Sequence, residues 1–175
     1  MTTTAPRREQ LLAAAADLFA ARGFHDVGID DIGAAAGITG PGVYRHFPSK
    51  QALLAVLCDR TMTRMLALAE AEEDLEALVA LHVRFAVEER ALLAVWVREQ
   101  RSLEEDLRAR QRSYEKVWRA KLAPLRPDLD ADQVALTVGA VLAMLNTTAL
   151  IDSPLPAAER ATVLRRLALA ALRSD

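Results

Sequence analysis

The chain has 175 residues, enough for one domain or for a small domain joined to a second helical one. Hydrophobic residues make up 52% and charged residues 26%, so it can bury a core and is not a disordered tail. A lone cysteine, Cys58, excludes an internal disulfide or a cysteine-based zinc site, and a net charge of −2 argues against bulk electrostatic capture of nucleic acid, though not against a small basic patch.

Ala and Leu dominate where strands would need Val, Ile and Thr, so the composition predicts helix almost throughout. A first helix opens at Pro6 and carries Leu11, Leu12, Ala15, Leu18 and Phe19 on one face until Gly23 stops it. Gly28 to Ala36 reads as a short helix with Asp30 and Asp31 in its first turn, ended by Gly37. Thr39 caps a second short helix, with Pro41 in its first turn and Pro48 as its breaker. Ser49 caps the next helix, which continues to about Ala69.

The apolar face Leu75, Leu78, Val79, His82, Phe85 and Ala86 marks a further helix, and Leu92 to Val97 another. Ser102 and Glu105 form a capping box that opens a segment to about Lys121; Asp130 and Gln133 form a second, opening a helix to Ile151. A last helix follows Pro154 and Pro156 and ends near Arg173. The expected fold is all-α, with about nine helices and no strand.

Val134 to Ile151 approaches the length of a membrane span, but Thr137, Gly139, Asn146, Thr147 and Thr148 interrupt it and no basic cluster flanks it. We expect no membrane partner. The opening residues Met1 to Pro6 lack a basic region followed by an apolar run, so the expected compartment is the cytoplasm. No Ser/His/Asp set, phosphate loop or paired carboxylates supports catalysis, and the three histidines lie too far apart for a local metal clamp. An enzyme is not expected.

The informative stretch is Ile29 to Leu54. Two short helices around a glycine-containing turn have the proportions of a helix-turn-helix, with Ile32, Ala36, Ile38, Val43 and Phe47 as its small core. Thr39, Tyr44, Arg45, His46, Ser49 and Lys50 gather within twelve residues as a set suited to gripping phosphate, beside the helix N-terminus that Ser49 opens. Arg7 and Arg8 read either as solvated charges or as an arm toward phosphate or the minor groove.

From about Arg8 to Leu57 the sequence resembles the tetracycline-repressor (TetR) family of bacterial regulators. The matching pieces are Leu18-Phe19 with Gly23-Phe24, then Ile32 to Ile38, and above all Val43-Tyr44-Arg45-His46-Phe47 followed by Ser49-Lys50. The resemblance implies a three-helix DNA-binding head over residues 1–50 and an effector-binding and dimerisation domain over 51–175. The second motif helix, Thr39 to Phe47, would enter the major groove of double-stranded DNA. Thr39, Gly40, Pro41, Val43, Tyr44, Arg45, His46 and Lys50 are the expected DNA-contacting positions, with Tyr44, His46 and Lys50 on the backbone and Arg45 best able to read a guanine edge.

Gly28 stands where the family often has a Ser or Thr cap, and Gly40, Pro41 and Gly42 leave the recognition helix almost bare at its start. DNA shape would then carry much of the specificity. Five basic residues in 1–55 are balanced by five acidic ones, so affinity needs two heads on one operator. The bare start also supports an alternative, a helical small-molecule-binding or scaffold protein with a vestigial head.

The helix from Val134 is apolar on every side, so in a chain this small one flank must face another subunit. Val134, Val138, Val141, Leu142 and Leu145, with Leu164, Leu167 and Ala171 of the last helix, are the expected interface of a homodimeric four-helix bundle. Such a dimer would bind a pseudo-palindrome with its heads about 34–36 Å apart. Met62, Met65, His82, Phe85, Trp96, Arg98, Tyr114 and Trp118 are candidates for a pocket taking a small apolar or amphipathic effector, or else simply core. The run from Trp96 to Arg101 through Tyr114 and Trp118 resembles TetR relatives linked to fatty-acid or steroid catabolism, which would imply an acyl-CoA-like ligand. No other cofactor is expected. The sum of these readings is a ligand-responsive repressor.

Overall fold

The computed structural model describes residues 4–99 and 105–174. Among them are nine α-helices and no strand: α1 (Thr4–Arg22), α2 (Ile29–Ala35), α3 (Gly40–Val43), α4 (Lys50–Ala71), α5 (Leu75–Glu88), α6 (Arg90–Glu99), α7 (Glu105–Leu122), α8 (Ala131–Thr147) and α9 (Ala157–Arg173). The Ser102–Glu105 capping box begins outside the described residues, as do Gln100 and Arg101.

Most local signals act where the sequence placed them; the exception is Thr39, which precedes α3 but whose hydroxyl accepts no capping hydrogen bond. Gly23 (φ 84°) and Gly37 (φ 71°) adopt the left-handed conformation that ends α1 and α2. Ser49 Oγ accepts from the Ala52 N–H at 3.0 Å, capping α4. The Asp130 carboxylate accepts from the N–H groups of Asp132 and Gln133, and the Gln133 side-chain Oε1 accepts from the Asp130 N–H, completing the expected capping box on α8. Asp74 caps α5 in the same way, through the Ala77 N–H at 2.7 Å.

Two helices are shorter than expected. The second motif helix was expected to run from Thr39 to Phe47, but α3 is a single turn ending at Val43. Beyond it the His46 N–H donates to the Val43 carbonyl, and the chain turns tightly toward Pro48. Two glycines and a proline in four residues supply too little helix propensity to extend it. α8 stops at Thr147 rather than Ile151, and a 3-10 turn, Thr148–Leu150, follows. There the hydroxyls of Thr147 and Thr148 bond back to the carbonyls of Ala143, Met144 and Leu145, competing with the regular ladder.

One continuous core joins the head to the rest. α4 carries both: Leu53, Leu54 and Leu57 are buried near its start, and Met62, Met65 and Ala69 are buried further along. The division at residue 50 therefore falls at its first turn. α1 packs on α6, α4 on α7, α5 on α9, and α7 and α9 on α8. Arg60 of α4 holds Glu9 of α1 at 2.5 Å, which lowers the Glu9 carboxyl pKa. Arg126 is 8% exposed and closes the far end, donating twice to Asp128 and once to the Ser174 carbonyl.

Val134, Val138, Val141, Leu142 and Leu145, expected at a dimer interface, are all buried inside the protomer. The opposite flank of α8 is bare: Leu136 is 75% exposed, and Gly139, Ala140, Ala143 and Thr147 share its face. A helix apolar all round does not reveal which side its own chain covers. The bulky side faces the core here and the small-residue side faces out. The segment Ala131–Leu150 is long and apolar enough to cross a membrane by length and composition, yet only 33% of its apolar window is buried. On α9 Leu164 leans on the core, while Leu167 and Ala171 are exposed.

Candidate functional site

The head is built around a close approach between α2 and α3. A Cβ at Gly33 would meet the Ile38 carbonyl oxygen at 2.9 Å and the Gly40 nitrogen at 3.1 Å. A Cβ at Gly40 would overlap the Asp30 carboxylate at 1.8 Å. These two glycines let the helices touch backbone to backbone, which fixes how α3 is presented. At the start of α2 the Gly28 N–H donates to the Asp31 carboxylate at 2.8 Å, the reciprocal half of a capping box, while Gly28 has no side chain to accept from the first-turn N–H groups. That bond, with Arg22 beside it, holds the Asp31 carboxyl below the usual carboxylate range.

The eight expected DNA contacts divide sharply. Thr39, Pro41, Tyr44 and Arg45 are exposed, Tyr44 at 55%, and His46 is half-buried. Gly40 and Val43 are not available: Gly40 is buried against Asp30 and Val43 is fully buried in the core. Lys50 is also corrected. Its ammonium donates to the carbonyls of Phe24 and Val27, each at 2.7 Å, and to that of His25 at 3.4 Å, and it sits 4.4 Å from the Phe24 ring centre. All three N–H bonds are committed to the loop after α1, so the residue read as a phosphate grip is a clamp inside the head.

Arg7 and Arg8 form no free arm either. Arg7 donates to the Ala36 carbonyl at 2.7 Å, closing the end of α2, and the Arg8 guanidinium lies 4.7 Å from the Phe47 ring centre. With Phe19 and Phe24 packed edge to face at 5.2 Å, these contacts make the head rigid. What remains outward is Thr39, Pro41, Tyr44 and Arg45; the Thr39 and Tyr44 hydroxyls and the Arg45 guanidinium form no hydrogen bond within the protein among the described residues.

A second site lies in the larger half. Thr61, Met62, Met65, His82, Phe85, Leu93, Trp96, Gln111, Tyr114, Glu115, Leu142 and Asn146 line a small cavity of about 50 Å³ between α4, α5, α6, α7 and α8. Six of the eight candidates thus converge: Met62, Met65, His82, Phe85, Trp96 and Tyr114. Arg98 does not; it is exposed and lines a cleft against α1. Trp118 lies behind the wall, fully buried and edge-on to His82 at 5.7 Å, and its indole N–H has no hydrogen-bond partner among the described residues.

His82 organises the polar end. Its Nδ1 lies 2.8 Å from the Tyr114 hydroxyl and its Nε2 lies 3.0 Å from Asn146 Oδ1. Donors and acceptors match when Tyr114 donates to Nδ1 and Nε2–H donates to Asn146. Burial lowers the His82 pKa to about 4 and raises that of Tyr114, so both are neutral at pH 7.

Sequence reasoning missed Thr61, Leu93, Gln111, Glu115 and Asn146 and assigned Leu142 to the interface. The available signal was helical spacing: Thr61 with Met65, Gln111 with Tyr114 and Glu115, and Leu142 with Asn146 share faces.

Comparison with known proteins follows the same two parts. Residues 11–57 match the family described as bacterial regulatory proteins, tetR family, and residues 68–150 match the tetracyclin repressor-like C-terminal domain. The HTH-type transcriptional activator FasR of Mycolicibacterium smegmatis is 52% identical over 52 residues, 29% of this chain and 24% of FasR. That match therefore spans about a quarter of the relative's length. A TetR-family transcriptional regulator from Bordetella parapertussis superimposes with a TM-score of 0.82 at 22% identity, over 94% of this chain and 93% of that one. The TetR-family regulator PfmR of Thermus thermophilus does so with a TM-score of 0.77 at 26% identity, over 93% and 97%.

Proposed function

Because the chain belongs to the TetR family, whose members are DNA-binding transcriptional regulators and not enzymes, we propose that it is a ligand-responsive repressor acting from the cytoplasm as a homodimer on a pseudo-palindromic operator. Residues 1–50 serve as the head that binds double-stranded DNA, and residues 51–175 bind the effector and dimerise. The observation that carries this reading is the outward quartet Thr39, Pro41, Tyr44 and Arg45, held by a rigid head and without hydrogen bonds of its own. Arg45 suits a guanine edge, while the Tyr44 and Thr39 hydroxyls suit phosphate.

The homodimer is supported by the bare flank of α8, continued on α9 by Leu167 and Ala171. An apolar surface of that length, most of it uncovered in the protomer, calls for a second copy. The interface then uses Leu136, Gly139, Ala140, Ala143 and Thr147, and small residues let two helices approach closely.

The effector occupies the pocket around His82, and an acyl-CoA-like molecule would place its acyl chain there. Thr61 and Phe85 line both this pocket and the groove between α1 and α4, so occupancy bears directly on the helix that carries the head. Release from DNA follows when the ligand prefers the conformer whose heads no longer match adjacent grooves.

The decisive experiment is a mobility-shift titration on DNA flanking the gene's own coding region. Arg45→Ala should weaken specific binding by about 1–3 kcal/mol while barely changing nonspecific binding. Equal losses on both would reassign Arg45 to phosphate, and no specific complex for the parent protein would remove the regulator reading.

A further inference from the structure

His82, Tyr114 and Asn146 make one part of the effector pocket polar and uncharged. Asn146 Oδ1 is occupied by the His82 Nε2–H at 3.0 Å, which leaves the Asn146 amide N–H2 group without a partner among the described residues and able to meet a ligand. His82 contributes no positive charge, because burial keeps its ring neutral. The only formal charge among the described lining residues is the carboxylate of Glu115, whose partner there is the uncharged Gln111 amide at 3.0 Å. The walls are apolar or aromatic: Met62, Met65, Phe85, Trp96 and Leu142.

Such a site has a definite preference. A free carboxylate entering it would lose its water, find no cation in return and face Glu115. An ammonium would set donor against donor at Asn146. An uncharged carbonyl oxygen would accept from the amide and bury its carbon chain against the walls. Resting on the reading of this pocket as the effector site, we infer that the effector is an apolar molecule bearing an uncharged carbonyl (ketone, ester, thioester or amide) directed at Asn146, and that the free carboxylic acid of the same skeleton is rejected.

The test uses the full-length protein and its own tryptophans, since Trp96 lines the pocket and Trp118 lies edge-on to His82. Fluorescence titrations at pH 7 compare 2-nonanone, octanoate and octylamine, with shorter and longer homologues of each to cover fit. The ketone series should bind at least tenfold more tightly than the acids and the amines. Asn146→Leu should lower ketone affinity about tenfold, as expected for one neutral hydrogen bond, and leave the acids unchanged. Glu115→Gln, at a half-buried position, should raise octanoate affinity severalfold. If Asn146→Leu does not fold, the ligand ranking and the Glu115→Gln arm decide.

Tighter binding of octanoate or octylamine overturns the inference and leaves the effector pocket standing. Silence of both tryptophans across the whole panel overturns the pocket reading, and this inference with it. Octanoyl-coenzyme A separates the two sources of the same carbonyl. Binding as tight as the ketone, with the same Asn146→Leu loss, supports a thioester on a large carrier; weaker binding supports a free ketone or ester.

Discussion

Lys50 is the sharpest place to separate a DNA contact from a structural clamp. Lys50→Met keeps the length of the side chain and removes the ammonium. Two N–H···O=C bonds of 2.7 Å, to Phe24 and Val27, disappear, together with the charge over the Phe24 ring. A hydrogen bond from a charged donor contributes about 1.5–3 kcal/mol, and the ring contact about 0.5–1 kcal/mol. The site is half-buried, so water reaches the released carbonyls in the variant, and the ammonium of the unfolded parent chain is hydrated; the net loss should be about 2–3 kcal/mol. In a chain of this length that lowers Tm by roughly 6–9 °C in a calorimetric or circular-dichroism melt.

The operator titration as a function of salt supplies the second readout. A lysine on a phosphate would contribute about 0.9 to the log–log salt slope, hence about 1.8 for two heads. A clamp contributes nothing to the slope, so the Lys50→Met lines should run parallel to those of the parent and be displaced to weaker binding at every salt concentration. An unchanged Tm with a slope flattened by about 1.8 would refute the clamp and restore the phosphate contact.

Three further outcomes follow from the same structure. Gly33→Ala forces a Cβ against the Ile38 carbonyl at 2.9 Å; we expect a loss of about 1–3 kcal/mol in urea unfolding and weaker operator binding, whereas a neutral variant would show that the α2–α3 approach is not tight. Burial depresses the His82 pKa from 6.5 to about 4, so the unfolded chain takes up a proton that the fold refuses. Stability is then full above pH 6.5 and falls as pH drops toward 4, by about 2 kcal/mol at pH 5. His82→Gln should flatten that stretch of a urea-midpoint profile, and an equally steep profile in the variant would assign the loss elsewhere. Gly139→Glu meets nothing within 4 Å in the protomer, so helical circular dichroism should persist while sedimentation shifts from dimer to monomer; a variant that stays dimeric would place the interface off α8.

The sequence by itself determined the order of the helices, most of their caps and the family, because these depend on neighbours along the chain. Ser49, the Asp130–Gln133 box, Gly23 and Gly37 each act within one turn of where they stand. Helical spacing likewise brought six of eight pocket candidates together, since residues three and four apart share a face whatever lies opposite. Where spacing was silent, the tertiary structure decided. It turned Lys50, Arg7 and Arg8 inward, because carbonyls and rings from distant segments reached them first. It buried Gly40 and Val43 of the motif. And it chose which flank of α8 belongs to its own core: an all-apolar helix carries no label for inside and outside, and only the packing of α7 and α9 against its bulky side leaves the small residues facing out.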